Sequence, residues 1–411
     1  MMNFKDLKVK DEIVSALANK GIKTPTPIQE ECIPLILNGK DVIAEAQTGT
    51  GKTLAFLIPF FQTLDTKNKA VQGLIVTPTR ELAIQITSEA EKFCEGKDIN
   101  ILAAYGGKDI SSQVNKLNNN ISLVIATPGR LIDHLKRNTI NLKSLKTLIL
   151  DEADQMLLMG FKNEIEEIVK SCPKKRQTLC FSATISSEVK KLAYRFTNEP
   201  ALVVIEKDEV ILENIKQELV EVSDRTKQNA LCTVLNEDNP FMAIIFCRTK
   251  RRVDDLEEVL YSRGYNCQKL HSDIKQSKRE QIMKSYKNAE IQYLIATDVA
   301  ARGLDISGVT HIYNYDIPEK PEGYIHRIGR TGRAGHKGYT CMFVAQKDLP
   351  LLNELQKHIK MSIPHRTLPY TREEFNKIEV RSTRPLSRKL KRINAEAKQK
   401  RTASNSRNSR R

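Results

Sequence analysis

The sequence predicts an α/β protein of two tandem parallel sheets, and three observations carry that prediction. The first is length. At 411 residues the chain exceeds the roughly 250–300 over which a single core keeps growing, so two domains are expected. The second is a recurrence of short runs rich in Val, Ile and Leu. They fall at 42–46, 74–77, 123–126, 147–150 and 178–182, then at 243–247, 267–270, 293–296, 311–315 and 340–344. The third is what separates them: amphipathic stretches such as Arg80 to Phe93 and Lys250 to Arg263, patterned as crossover helices. Continuous rather than alternating apolar runs suit strands covered on both faces, as in a parallel sheet.

The best boundary follows the breaker Asn198-Glu199-Pro200, where Glu206-Lys207-Asp208-Glu209 opens a charged, weakly periodic passage. The layout is then a first domain over 1–205, a linker over 206–216 and a second domain over 217–369. From 370 to 411 the chain is rich in Arg, Lys, Ser and Asn. Such a segment buries too little apolar surface to offset its ordering entropy, so a disordered basic tail is expected. Of the net charge of +16, residues 380–411 hold +11, with twelve Lys or Arg against one acid, Glu396. A basic excess at one end suits an arm for polyanions, or a solubilising end.

Composition also excludes. The longest apolar run, Leu54 to Phe61, is eight residues and contains Pro59, far short of the ~20 that span a bilayer. The first residues, Met1-Met2-Asn3-Phe4-Lys5-Asp6, hold no apolar signal core. The eight cysteines form no C-x-x-C pair, which favours free thiols in a reducing compartment over a disulfide or zinc framework. A soluble, cytoplasmic protein is expected.

Two segments carry the chemistry. Ala46-Gln47-Thr48-Gly49-Thr50-Gly51-Lys52-Thr53 has the makings of a phosphate cradle, with Ala46 where the common pattern has Gly. Its glycines permit a tight turn that aims N–H groups at an anion. Lys52 then reaches the outer phosphates, and the Thr53 hydroxyl can ligate Mg²⁺ at a helix N-terminus. Asp151-Glu152-Ala153-Asp154 follows the apolar run from Leu145 to Leu150. Alone, an acidic tetrapeptide also caps helices or faces solvent. At the end of a strand, Asp151 is placed to hold Mg²⁺ through water, and Glu152 to orient or deprotonate an attacking water.

Arg327, Arg330 and Arg333 recur every third residue. A solvated basic helix face is one reading, but Gly329, Gly332 and Gly335 suit close backbone approach to a ligand instead. Planar guanidinium groups match the spread charge of a transferring phosphoryl group. Lys52, Asp151, Glu152, Arg330 and Arg333 are therefore the candidate catalytic residues, divided between the two halves.

Taken in order, these strings resemble those of DEAD-box RNA helicases of bacterial type, RNA-dependent ATPases of helicase superfamily 2, over residues 1–360. Gly21 to Gln29 resembles the adenine-reading Q motif, with Phe4 upstream and Ile22 where the family commonly has an aromatic. Ala46 to Thr53 resembles motif I. Pro78-Thr79-Arg80-Glu81-Leu82-Ala83, Gly106-Gly107 and Thr127-Pro128-Gly129-Arg130 resemble RNA-contacting motifs. Asp151 to Asp154 resembles motif II and Ser182-Ala183-Thr184 motif III. Further on, Ile245 to Thr249 resembles motif IV, Gln276 with Arg279 the Q-x-x-R element, Ala296 to Ile306 motif V, and His326 to Arg333 motif VI.

The resemblance implies two RecA-like domains that bind ATP with Mg²⁺ and close on RNA, opening short duplexes locally. It places Phe4, Ile22, Thr24, Gln29, Ala46 to Thr53, Gly303, Asp305, Arg330 and Arg333 around the nucleotide. It places Pro78, Thr79, Arg80, Gly107, Thr127, Gly129, Arg130, Arg248, Gln276, Arg279 and Thr297 along a sequence-nonspecific RNA strand. Ser182, Thr184, Asp154, His326 and Arg327 would couple the domains. It further implies a monomer acting in the cytoplasm, in ribosome assembly, RNA decay or cold adaptation. An ATP-timed RNA clamp with little unwinding is the alternative, and a DNA translocase a more distant one.

Overall fold

The computed structural model describes residues 2–47, 49–94, 98–107, 120–205, 215–301, 306, 308–332 and 337–368. The first sheet holds β1 (Val42–Glu45), β2 (Gly73–Val76), β3 (Asn100–Ala104), β4 (Ile121–Ala126), β5 (Thr147–Leu150), β6 (Gln177–Ser182) and β7 (Ala201–Val204). Their order is β3-β4-β2-β5-β6-β1-β7. The second sheet holds β8 (Ile215–Val222), β9 (Ala243–Cys247), β10 (Cys267–Leu270), β11 (Tyr293–Thr297), β12 (His311–Asn314) and β13 (Gly338–Ala345). Their order is β10-β11-β9-β12-β13-β8. Every paired strand is parallel.

Period-2 alternation survives within the continuous apolar runs. Ile75, Leu123, Ile125 and Ile149 pack into the core on one face of the first sheet. Leu74, Val76, Val124, Leu148 and Leu150 pack into the core on the other. Because helices cover both faces, neither set is polar, and the strand reads as unbroken hydrophobicity.

Three strands were not expected: β3, β7 and β8. All three lie at sheet edges. β7 leaves Leu202 and Val204 exposed, and β8 alternates Lys216 and Glu221 with buried Ile215 and Val220. Edge strands are covered less completely and so lack the apolar signature of central ones. The expected linker is corrected at its end, because β8 already includes Ile215 and Lys216. The rest of that linker, 206–214, and the expected tail, 370–411, lie outside the described residues.

Strand ends position the site. The loops after β1, β2, β4, β5 and β6 open at the carboxyl edge of the first sheet, and those after β9, β11 and β12 at that of the second. Open parallel sheets bind ligands at that edge. Among the described residues no helix is long and apolar enough to cross a membrane, and all eight cysteines are free.

Candidate functional site

The loop after β1 turns through Gly49 and Gly51, whose φ angles of 86° and 93° suit glycine and little else. Gly51 has a second reason to lack a side chain. A Cβ there would lie 2.4 Å from Gln29 Nε2. Gln29, 2% exposed, donates from that nitrogen to Gly51 O at 3.0 Å and accepts from Thr26 N at 3.1 Å. The residue expected to read adenine thus also fastens its own segment to the phosphate loop.

The helix Lys52–Thr63 starts where the loop ends. Lys52 is 7% exposed, and its buried Nζ has no hydrogen-bond partner. A buried ammonium without a hydrogen-bond partner at a helix N-terminus favours an anionic ligand. Thr53 is the next residue of that helix, and Thr24 and Ile22 lie upstream, exposed and half-buried respectively. Phe4 corrects the sequence reading: at 1% exposure it is part of the core with Leu7 and Val9, so its ring has no open face for a base. Thr48 lies outside the described residues.

The acids close the other side. β5 delivers Asp151, whose Oδ1 accepts from Glu152 N at 3.0 Å. Glu152 has φ 53° and caps the helix Ala153–Leu158, a left-handed conformation costing a non-glycine residue about 1 kcal/mol. Its Oε2 is buried without a partner. Lys52 and Glu152 both lie close enough to Asp151 to act on its charge, and each holds a buried polar atom without a hydrogen-bond partner. A magnesium-bound triphosphate suits this donor set: an ammonium for phosphate oxygens, a carboxylate for a hydrated cation and another for water.

Burial pushes the Asp151 carboxyl from its ordinary 3.8 up to about 6, against the pull of Lys52. Its folded pKa is the higher one, so protonation favours the native state. That contribution is complete below pH 3.8 and is lost between there and about 6. At neutral pH Asp151 thus costs on the order of 2–3 kcal/mol. Asp151→Asn is expected to raise the thermal midpoint of the metal- and nucleotide-free protein at pH 7.5. The gap to the parent should narrow at pH 5. Calorimetry at the two pH values checks this, and equal midpoints at pH 7.5 would contradict it.

Asp154 has the opposite character. Its Oδ2 accepts from Thr184 N at 3.2 Å and Thr184 Oγ1 at 3.0 Å, while Ser182 Oγ accepts from Asp154 N at 3.3 Å. Burial works against its charge, but His326, Lys52 and Thr184 outweigh it and hold the carboxyl down at about 2. His326 Nε2 comes within 3.4 Å of Asp154 Oδ2. His326 belongs to the helix Pro321–Ile328 of the second lobe, so this contact joins the acidic segment to the arginine segment. Arg330 lies on the same turn, its Nε donating to His326 O at 3.3 Å. Arg333, Gly303 and Asp305 lie outside the described residues.

Arg327 is a correction. Its guanidinium grips Asp298 with two bonds of 2.6 and 2.7 Å and donates to Asn314 Oδ1 and Asp316 O. All these partners belong to its own lobe. Arg327 braces the second lobe from within rather than reaching across.

Along the cleft, Thr79 caps the helix Arg80–Glu91 by accepting from Leu82 N, and Thr127 precedes the helix Pro128–Lys136. These two helix N-termini, beside buried Pro78 and exposed Gly129, offer N–H groups to phosphates. Arg130 lies in the first turn of the second helix. Gly107, at φ 90°, leaves room for Arg80: a Cβ there would sit 2.6 Å from Arg80 Nη1.

Gln276 and Arg279 were expected on RNA, yet both are engaged between lobes. Arg279 donates to Glu81 Oε1 from Nε at 3.0 Å and Nη2 at 2.5 Å, and to His271 O from Nη1 at 3.0 Å. Gln276 accepts from Arg80 Nη1 at 3.4 Å and donates to Glu280 at 3.1 Å. Arg248 donates to Ile317 O at 3.1 Å and stays partly exposed, and Thr297 ends β11, buried. Glu81, which completes the interlobe bridge, was missed as a site residue although it sits in the Pro78–Ala83 string. Its only signal was its place next to Arg80.

Two parallel-sheet lobes, with an orphaned lysine and acids on one meeting the His326–Arg330 segment of the other, define a nucleotide-hydrolysing machine with a divided site. The comparisons agree. Residues 26–192 match the DEAD/DEAH box helicase family and residues 226–335 the helicase conserved C-terminal domain. The ATP-dependent RNA helicase CshA of Limosilactobacillus reuteri is 46% identical over 374 residues, covering 91% of this chain and 75% of the relative. The DEAD-box ATP-dependent RNA helicase CshA of Geobacillus kaustophilus is 46% identical over 374 residues, covering 91% and 80%. The chain belongs to the DEAD-box ATP-dependent RNA helicases, which are RNA-dependent ATPases.

Among solved structures, Mss116p bound to ssRNA and AMP-PNP matches with a TM-score of 0.83 at 31% identity, covering 94% of this chain and 83% of that one. S. cerevisiae Dbp5 bound to RNA and ADP BeF3 matches at 0.80 with 27% identity, covering 92% and 98%. A DEAD box protein of Methanococcus jannaschii, 40% identical and covering 89% and 99%, scores only 0.52.

Proposed function

We propose that this enzyme separates short RNA duplexes by closing its two lobes around ATP and one RNA strand. The contact of Asp154 with His326 at 3.4 Å carries the reading, since it brings the acidic half-site against the arginine half-site. In the proposed cycle Lys52 and the loop amides hold the phosphates, Glu152 takes a proton from the attacking water, and Arg330 steadies the charge on the transferring group. Mg²⁺, held near Thr53 and Asp151, would neutralise phosphate charge when bound. Asp154, gripped by Ser182 and Thr184, would report nucleotide state to His326.

Arg80, Arg130, Arg248, Gly129 and the helix N-termini at Thr79 and Thr127 are the proposed phosphate contacts. They position a strand without reading its bases. RNA across both lobes would favour the closed form, so ATP and RNA would bind cooperatively by linkage. The domain limits are proposed as 1–205 and 215–369, with the basic segment beyond 370 as an auxiliary RNA anchor. A cytoplasmic setting is proposed, supported by eight free cysteines, and a monomer is proposed from the family resemblance alone. A setting in ribosome assembly or RNA decay is proposed from the family resemblance of the motifs.

A duplex-release assay tests the reading. Short RNA duplexes should separate with ATP, and ATP turnover should rise with RNA but not with single-stranded DNA. Binding without strand release would favour an ATP-timed clamp, and stimulation by DNA alone a translocase.

A further inference from the structure

Asp316, two residues beyond β12, sits where four parts of the second lobe meet. It is 2% exposed. Its Oδ2 accepts the backbone N–H of Arg248 at 2.9 Å. Its Oδ1 accepts from the Lys227 ammonium at 3.3 Å and from the Arg252 guanidinium. Its main-chain carbonyl accepts from Arg327 Nη1 at 2.6 Å, and the next carbonyl, that of Ile317, accepts from Arg248 Nη2 at 3.1 Å.

These partners have different allegiances. Arg327 lies on the helix Pro321–Ile328, beside His326 and one turn before Arg330, so it moves with the nucleotide-facing segment. Arg248 follows β9, immediately before Thr249, which caps the helix Lys250–Ser262 on the cleft side. Lys227, 1% exposed, opens a third helix, Lys227–Asp238, and reaches Asp348 as well at 3.9 Å. A staple needs one partner on each side. Asp316 has its side chain on the Arg248 amide and its main chain on Arg327, with two buried or half-buried cations fixing the carboxylate between.

We infer that Asp316 is a positioning residue that couples the nucleotide-facing helix to Arg248, so that the gain in RNA affinity on ATP binding passes through it. The inference rests on reading Arg248 as a phosphate contact. When the arginine segment engages the acidic half-site, Arg327 carries the Asp316 main chain with it. The pinned carboxylate transmits that shift to the Arg248 amide, because packed hydrogen-bonded groups move together rather than deform.

Asp316→Asn keeps the size and an acceptor for the Arg248 N–H while removing the charge that fixes it. If the single variant fails to fold because Lys227 is left under-compensated, Lys227→Met with Asp316→Asn restores charge balance. RNA affinity of the full chain is measured by titration with and without a non-hydrolysable ATP analogue, and the ratio of the two is the readout. A structural staple alone would lower both affinities equally and leave the ratio intact.

The expected result is a fall of roughly tenfold in the ratio, within the ordinary range of coupling between sites. A ratio equal to that of the parent, in whichever variant folds, overturns the inference. Arg248→Ala serves as the separate control. It should weaken RNA binding in both states, and unchanged RNA affinity would instead remove Arg248 from the strand's path, whatever the Asp316 variant does.

Discussion

Glu152→Gln is expected to lower RNA-stimulated ATP turnover by ~10²–10⁴-fold while leaving ATP and RNA binding in place. The residue holds φ at 53° at the N-cap position of the following helix, and its own N–H donates to Asp151 Oδ1. Backbone strain of this kind costs stability and persists where position matters. Its Oε2, buried without a partner, is a proton acceptor with nothing yet to accept. Gln has the same shape and tolerates the same backbone, so Lys52, Asp151 and Asp154 keep their places. What disappears is basicity. Phosphate release, followed beside equilibrium titrations of nucleotide and RNA, separates the two effects. Turnover near that of the parent would remove Glu152 from the chemistry.

Most of the architecture was legible because the central strands are covered on both faces and so announce themselves as apolar runs. The edges were not. β3, β7 and β8 each mix polar, small or exposed residues into the strand, and no local rule separates them from loops. The phosphate loop and acidic segment were legible for a different reason: their chemistry demands particular residue types at fixed spacing. Arginines were harder to assign. Arg279 and Arg327 carry the same fork as Arg80 and Arg330, and sequence cannot say whether the carboxylate that meets it belongs to the protein or the phosphate to a ligand. Glu81 and Asp298 decide it, and both are distant in sequence from the arginines they hold. Phe4 failed similarly, since an aromatic next to Leu7 and Val9 serves a core as well as a base.

Arg330→Ala is expected to lower kcat by ~10³-fold or more, the range in which arginine groups stabilise phosphoryl transfer, with ATP affinity nearly unchanged. The argument starts from division of the site. The groups proposed to grip the phosphates in the ground state, Lys52 and the loop amides, lie on the first lobe. Arg330 lies on the second, tied through His326 O to the residue that meets Asp154. Its guanidinium is therefore delivered only when the lobes are together. An interaction made only in the closed, reacting complex appears in kcat and not in the binding of ATP to the open form. Arg330→Lys should recover little, because a compact ammonium does not reproduce a planar fork of donors. Steady-state kinetics at saturating RNA, set beside ATP titration without RNA, tests both variants. An alanine variant with weakened ATP binding and unchanged kcat would mean that Arg330 holds the ground state, and the second lobe would then be a clamp rather than half of a catalyst.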